Sequence, residues 1–378
     1  MSVQIQRLFG FQQYVRDLER TRRFYVERLG FAEVGRTSIE SEREEQQRSL
    51  VFRAGSALIT CSSPLGEGGV AASYLSRHPD GIGAVVFEVR DIHAAFSQLE
   101  QNGATPTSEV QTLRDARGTV ETFSITTPLG DTIFQFIERA EYQGLLPGIL
   151  AYDIPHGAHH EQGFTDVDHV TVNLRTMKPT LLWLEHVLEF HSFWGVEFHT
   201  AGAGGEAACG SGLRSRVMWD PASGIKIACN EPLRPSFERS QIKLFCDDNR
   251  GDGIQHIALG VRDIIPTVRA LRERGVELMP APTGYHADLP ERLHRLGIDS
   301  IDEDLGMLSQ LDILVDGSGP GAYLLQIFAK DAASTFENPD AGPFFFELIQ
   351  RKGDVGFGEG NFRALFDSVE GQQIARTG

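Results

Sequence analysis

Residues 80–103, DGIGAVVFEVRDIHAAFSQLEQNG, return as residues 252–275, DGIQHIALGVRDIIPTVRALRERG, without a gap and at an offset of 172 (252 − 80). A repeat of that kind in a chain of 378 residues fixes the architecture as a duplication before any single residue is considered. In both copies an apolar run leads through VRDI into a segment that ends on Gly, the residue that most readily takes a left-handed helix stop. A second, weaker pair is FQQYVRDLERTRRFYVERLGF (11–31) against VDHVTVNLRTMKPTLLWLEHVLEF (167–190), aligned with a three-residue insertion. Here Pro179 sits near the helix start, where its missing N–H costs little. A third pair, TIFQFIER (132–139) and FFFELIQR (344–351), supplies closing strands. Intervening runs such as RSLVFRAGSALITCS (48–62) and GIKIACNEP (224–232) are β-branched or apolar and bounded by Gly, Pro and Asp. Each half therefore predicts two βαβββ modules. The expected fold is α+β, with two domains of paired modules, each forming a half-open, curved β-barrel with outer helices. The expected bounds are an N-terminal domain at 1–145, a linker at 146–162 and a C-terminal domain at 163–378. The linker falls in a stretch rich in Gly, His and Pro that lacks periodicity.

Composition narrows the function classes. Hydrophobic residues at 41% and charged residues at 23% are globular proportions, and 378 residues suffice for two cores. No apolar run approaches the ~18 residues of a membrane span. The N-terminus has no secretory apolar stretch. Four scattered cysteines, Cys61, Cys209, Cys229 and Cys246, form no CxxC pair, which argues against a disulfide framework and a cysteine zinc site. A cytoplasmic protein with reduced thiols is expected. A net charge of −17 would repel a phosphate backbone, so nucleic acid is not an expected partner. The dense run Glu40–Arg48 mixes signs and reads as a solvated segment.

The repeat isolates candidate chemistry. His169 falls opposite Gln13 in that alignment, His256 opposite Ala84, and Glu347 opposite Gln135. One half thus carries three metal-ligating side chains where the other carries none. By strand alternation His169 shares a face with Val167, Thr171 and Asn173, while Val170, Val172 and Leu174 form the packing face. Glu347 shares a face with Phe345 and Ile349. A lone strand histidine is more often a hydrogen-bonded core residue than a ligand. A carboxylate inside FFFELI is harder to dismiss, because burying it without a partner is costly. Two imidazoles and one carboxylate leave three positions open on a metal and favour Fe(II) oxygen chemistry, although zinc hydrolases use the same ligand types. His156, His159 and His160 form a loop cluster that reads as solvated linker.

The four-module layout resembles the vicinal-oxygen-chelate superfamily. The second half resembles the 4-hydroxyphenylpyruvate dioxygenase family through DHVTVNL around His169, CNEP (229–232), SQI (240–242), GIQHIAL around His256, YLLQIF (323–328), FFFELIQRKG (344–353) and GFGEGNFRALF (356–366). The resemblance extends over almost the whole chain. It implies Fe(II) bound by His169, His256 and Glu347. It implies the substrates 4-hydroxyphenylpyruvate and O₂, with decarboxylation, ring hydroxylation and migration of the acetate arm to give homogentisate in tyrosine catabolism. It further implies Ser215, Asn230, Gln241 and Gln326 as polar pocket residues with catalytic or binding roles. Phe328, Phe345, Phe357, Asn361 and Phe362 are implied as the rest of the pocket, and a homo-oligomer, dimer or tetramer, as the assembly. Parity points Gln255 away from the His256 side. One departure is ACNEP where the family usually has PINEP, so Ala228 and Cys229 replace Pro and Ile. NFRALFDSVEGQQ reads as an amphipathic C-terminal helix with Phe362, Leu365 and Phe366 on one face, placed to gate the pocket. Three other readings compete: 4-hydroxymandelate synthase, a zinc hydrolase or glyoxalase-type isomerase, and a non-catalytic small-molecule-binding protein.

Overall fold

The computed structural model describes residues 3–157, 163–201, 209–234 and 237–366. Strands β1 (Ile5–Tyr14), β2 (Ala32–Thr37), β3 (Gln47–Ala54), β4 (Ala57–Pro64), β5 (Gly81–Val89), β6 (Gln111–Asp115), β7 (Gly118–Ile125), β8 (Ile133–Glu138) and β9 (Ile149–His156) build the first sheet. Its order is β6-β7-β8-β5-β1-β4-β3-β2-β9. Strands β10 (Phe164–Asn173), β11 (His191–Ala201), β12 (Cys209–Trp219), β13 (Lys226–Leu233), β14 (Gly253–Val261), β15 (Leu314–Gly319), β16 (Ala322–Phe328) and β17 (Phe345–Lys352) build the second. Its order is β11-β12-β13-β10-β14-β17-β16-β15. Without β9 the two orders match strand for strand, so four βαβββ modules make two curled sheets, as the repeat predicts.

The VRDI motif marks the helix start for a physical reason. The Asp91 carboxylate accepts from the Ala94 N–H and caps the helix Ile92–Gln101. Its counterpart Asp263 precedes the helix Ile264–Glu273. The crossover helices of the other modules are Leu18–Arg23, continued by a π-helical turn, and Lys178–His186.

The weaker repeat pair is corrected by the register. Gln12 stands opposite Ala84 and Gly10 opposite Val86, while Thr171 stands opposite His256 and His169 opposite Ala258. The counterpart of His169 is therefore Gly10, at an offset of 159 (169 − 10), and not Gln13. At that offset the pair needs no insertion. A Cβ at Gly10 would stand 2.3 Å from the Leu58 carbonyl oxygen, so the first half has no space for any side chain there. Gln13 faces outward and accepts from the Tyr25 hydroxyl at 2.5 Å. The other counterparts, Ala84 and Gln135, agree with the register.

The stretch expected to be linker contains β9, which pairs with β2. It was illegible because β9 is a sheet edge whose residues are mostly exposed, so no alternation marks it. His159 and His160 of the loop cluster lie outside the described residues; His156 ends β9. Leu145 and Leu146 ahead of β9, with Ile149 at its start, pack on Val34, Val51 and Leu58, and Tyr142 packs on Val86 and Ile137. Val86 corresponds to Ala258, so this segment fills the first barrel where the second holds its polar site. The outer faces of both sheets share one apolar core, in which Phe11, Ile59 and Val85 join Val170, Val172 and Ile257. At the seam Gly55 has φ 60°, and a Cβ there would stand 1.8 Å from the Thr165 carbonyl oxygen, a contact only glycine permits. Helical residues 359–366 cover the second barrel, and the remainder of the expected C-terminal helix lies outside the described residues.

Candidate metal centre

Three neighbouring strands deliver the triad. His169 on β10 and Glu347 on β17 both stand in register with Ala258 of the strand between them, β14. His256 lies two residues before Ala258 and so points the same way. The methyl group of Ala258 leaves space between the flanking ligands. His169 Nε2 lies 3.4 Å and His256 Nε2 3.2 Å from Glu347 Oε2. One ligand atom from each residue lies within 4.8 Å of the others, and all three residues are buried.

The far side of each imidazole is already bonded. His169 Nδ1 donates to Asp168 Oδ1 at 2.9 Å, and Arg351 grips the same carboxylate at 2.5 and 2.7 Å. His256 Nδ1 donates to Gln255 Oε1 at 3.0 Å. With Nδ1 carrying the proton, each Nε2 lone pair faces the shared centre, the arrangement a metal requires.

Residues adjacent in a strand should point apart, yet Asp168 and Gln255 each touch the histidine that follows. The register explains this. β10 skips a partner at Asp168 and β14 skips one at Gln255, so a β-bulge lies beside each ligand. The bulge at Asp168 also resets the alternation. Val167, expected on the inner face, packs on the outer core. The first half has the same bulges at Phe9 and Gly83, so they belong to the duplicated fold and only their side chains differ.

Charge follows from these contacts. Burial pushes the Glu347 carboxyl up, but the two imidazoles outweigh it and bring it down to about 2. Burial also lowers His256, below its ordinary value. For His169 burial is outweighed by the Glu347 and Asp168 carboxylates, and its pKa rises. Asp168 is buried too, but its bonds to Arg351 and His169 hold it far below the usual carboxylate range. An ionised carboxylate facing two imidazole nitrogens in a buried centre calls for a cation. The donor set, with its Nδ1 protons fixed, fits a divalent metal.

The remaining expected residues divide by position. Phe345 stacks on His256 with centroids 4.9 Å apart, Phe357 lies 4.7 Å from His169, and Phe328 meets His256 edge-on at 6.2 Å. Phe362 packs farther out, on Trp194, Phe198 and Phe366. Ser215, Asn230 and Asn173 form one row across β12, β13 and β10, and Asn230 Nδ2 donates to Asn173 Oδ1 at 3.1 Å. That row lies four residues beyond His169, about 13 Å along the strand. Gln326 Nε2 donates to Glu347 Oε1 at 2.7 Å, and Asn361 Nδ2 donates to Gln326 Oε1 at 2.9 Å. Gln241 Nε2 bonds the Phe366 carbonyl and so holds the covering helix. Ala228 packs beside Phe357, whereas Cys229 faces the outer core.

Among the described residues, Thr171 Oγ1, Asn173 Nδ2, Ser215 Oγ, Asn230 Oδ1 and Gln241 Oε1 are buried without a hydrogen-bond partner. Such atoms are rare in a folded interior, and a set of them at one end of a barrel marks space for a polar ligand group. Thr171, Asn173, Trp194, Asp168 and Arg351 were not singled out from the sequence as site residues. Shared parity with His169 was an available signal for Thr171 and Asn173. Nothing local marks the contact of Asp168 with Arg351, 183 residues away.

Residues 7–133 match the model of the Glyoxalase/Bleomycin resistance protein/Dioxygenase superfamily. The chain is 34% identical over 363 residues to a 4-hydroxyphenylpyruvate dioxygenase of Dictyostelium discoideum, an alignment covering 93% of this chain and 94% of that protein. It is 36% identical over 348 residues to one of Caenorhabditis briggsae, covering 89% and 83%. Among solved structures, a mutant of 4-hydroxymandelate synthase from Streptomyces coelicolor has a TM-score of 0.80 at 24% identity, over 98% of this chain and 99% of that one. At that identity the likeness concerns the fold alone.

Proposed function

This chain belongs to the 4-hydroxyphenylpyruvate dioxygenase family, and from that premise we infer how its residues serve the conversion of 4-hydroxyphenylpyruvate and O₂ to homogentisate and CO₂. The enzyme is a dioxygenase. We assign Fe(II) as the metal, held by Glu347 and the Nε2 atoms of His169 and His256. Iron bound there supplies the O₂ chemistry behind decarboxylation and ring hydroxylation. The observation that carries the reading is the convergence of three buried ligand atoms whose other bonding positions are already taken.

The protein's own part is to orient, to exclude water and to hold protons in place. One carboxylate and two neutral imidazoles on one side of a cation leave the opposite side free for substrate and O₂. Phe345 and Phe357, packed on the two ligand imidazoles, make the surroundings apolar. The unpartnered atoms of Ser215, Asn230 and Asn173 suit the phenol end of the substrate, since a hydroxyl both donates and accepts. The helix at 359–366 closes the barrel through Phe362, Leu365 and Phe366, packed on Val196, Phe198 and Ile242. Burial of the triad weighs against a purely scaffolding second half, whereas the filled first barrel suits that role. Metal chemistry is accordingly assigned to residues 163–378. A cytoplasmic homo-oligomer acting in tyrosine catabolism completes the proposal. Among the described residues no helix is long and apolar enough to cross a membrane.

The test is substrate-dependent O₂ uptake by the Fe(II)-reconstituted protein, with chromatography of the product. Homogentisate equal to the O₂ consumed is expected. 4-Hydroxymandelate would transfer the chain to benzylic hydroxylation, and absence of uptake would refute the dioxygenase.

A further inference from the structure

The two oxygens of Glu347 keep different company. Oε2 faces both imidazoles, at 3.4 and 3.2 Å. Oε1 accepts from Gln326 Nε2 at 2.7 Å, and behind Gln326 the hydrogen bonds continue. Asn361 Nδ2 donates to Gln326 Oε1 at 2.9 Å, and the Tyr285 hydroxyl donates to Asn361 Oδ1 at 2.5 Å. The Tyr285 oxygen in turn accepts from the Val315 N–H at 2.9 Å. Tyr285, Asn361 and Gln326 are all buried.

The direction of this chain is forced. A backbone N–H cannot be reversed, so the Tyr285 oxygen must accept at that point and turn its single proton elsewhere. The Val315 carbonyl accepts from Arg292 Nη2 at 3.0 Å and, with its second lone pair, is also within reach at 2.8 Å, so the direction is set from the other end of the chain. The Arg292 guanidinium also lies over the Tyr285 ring at 4.0 Å and holds it in place. An ionised Glu347 can only accept, so Gln326 must present its N–H to Glu347 and its carbonyl to the Asn361 N–H, which leaves the Asn361 carbonyl facing the Tyr285 hydroxyl. Reversing Gln326 would set oxygen against oxygen at Glu347 and N–H against N–H at Asn361, and reversing Asn361 would set oxygen against oxygen at Gln326.

Asn361 belongs to the covering helix, and its backbone is seated from the same side. Asp316 Oδ2 on β15 accepts from the Gly360 N–H at 2.6 Å and the Asn361 N–H at 3.3 Å. Gly358, with φ 63°, lets this turn pass over Gln326; a Cβ there would meet Gln326 Oε1 at 3.3 Å.

We propose that the relay Tyr285–Asn361–Gln326 reserves Oε1 of Glu347 for an N–H donor and so makes Glu347 a one-oxygen metal ligand, with Tyr285 and Asn361 as positioning residues. The proposal rests on the metal-site reading above. A carboxylate with both oxygens free can close on a cation through both, and one of the positions left by a facial triad is then lost. With Oε1 occupied, all three remain. Because Asn361 rides on the covering helix, the ligand adopts this state only while the helix is seated.

The test uses the full chain loaded with Co(II), whose ligand-field absorption reports coordination number, and compares wild type with Asn361→Asp and Tyr285→Phe. Aspartate at 361 sets a carboxylate against Gln326 Oε1 and turns the amide N–H away from Glu347. Phenylalanine at 285 keeps the ring against Arg292 and removes only the hydroxyl, so it tests the relay even if the aspartate variant folds poorly. The expected result is altered ligand-field bands in both, with Co(II) affinity lowered about 10- to 100-fold in Asn361→Asp and toward the lower end of that range in Tyr285→Phe. Wild-type bands and affinity in both variants would overturn the relay while leaving the metal site intact. Wild-type Co(II) affinity in Glu347→Ala would overturn the site itself, and the relay with it.

Discussion

Glu347→Ala will bind Fe(II) about a thousandfold more weakly than wild type and will show no substrate-dependent O₂ uptake at stoichiometric iron. The size follows from the ligand count. Structural zinc sites in peptides hold their metal with on the order of 10–16 kcal/mol spread over four ligands. On that scale one ligand is worth up to about 4 kcal/mol, and each 1.4 kcal/mol is roughly tenfold. The loss falls on the metal rather than on the fold, because the substituted position would still stand in the middle of β17 between two paired neighbours. Anaerobic Fe(II) titration together with the melting temperature of the metal-free protein separates the two effects. Wild-type iron affinity in Glu347→Ala would remove the carboxylate from the ligand set.

Arg351→Met will have the second large effect, and it will fall on both fold and metal. Asp168 and Arg351 are only 12% and 19% exposed at their side chains. Removing the guanidinium leaves a carboxylate in the interior without its cation, which costs about 3–5 kcal/mol. The freed carboxylate is also no longer held against His169 Nδ1, so metal affinity should fall about 10- to 100-fold. Asp168 titrates below its ordinary value in the folded chain. Its contribution is therefore complete above the unfolded value of about 3.9 and is lost as pH falls through the lower folded value. Urea unfolding should accordingly show a larger gap between wild type and variant at pH 7 than at pH 3. The double variant Asp168→Leu with Arg351→Met should regain much of the stability while metal affinity stays low, because His169 Nδ1 has then lost its acceptor. Equal urea midpoints for wild type and Arg351→Met at pH 7 would show that the pair does not support the site.

These effects follow from a geometry that the residues announce unevenly. The gap-free repeat defines β5 and β14 with their helices, and through them the βαβββ plan. Ala84 opposite His256 is readable there because hydrophobic alternation and the VRDI turn agree. The first strands of the two halves carry weaker marks, and with Gly10 at the place of His169 there was no side chain to align; the pairing slipped to Gln13. Bulges are the least legible feature. Asp168 and Phe9 occupy the same bulge, as do Gln255 and Gly83, and no shared residue type announces either. Strict alternation therefore placed Val167 on the wrong face and turned Gln255 away from a histidine that it holds. Contacts such as Asp168 with Arg351, or Tyr285 with Asn361, join segments far apart in the chain. Tertiary packing creates them, and local sequence carries no trace of it.

Helix 359–366 and segment 142–149 show how one plan yields two outcomes. Both follow the last strand of a half and both enter the adjacent barrel. In the first half Tyr142, Leu145, Leu146 and Ile149 pack it with side chains, and the chain continues as an edge strand. In the second, GFGEGNF turns into a helix that closes over the barrel and leaves polar atoms beneath it without partners. Filling one barrel and keeping the other open accounts for the candidate metal site, found among the described residues in the second barrel and not in the first.

Anomalous diffraction at the iron absorption edge, from crystals of the Fe(II)-loaded chain, bears most directly on that site. One peak per chain is expected, bonded to His169 Nε2, His256 Nε2 and a single oxygen of Glu347. A peak bonded to other residues, with these three side chains paired only to one another, would contradict the account.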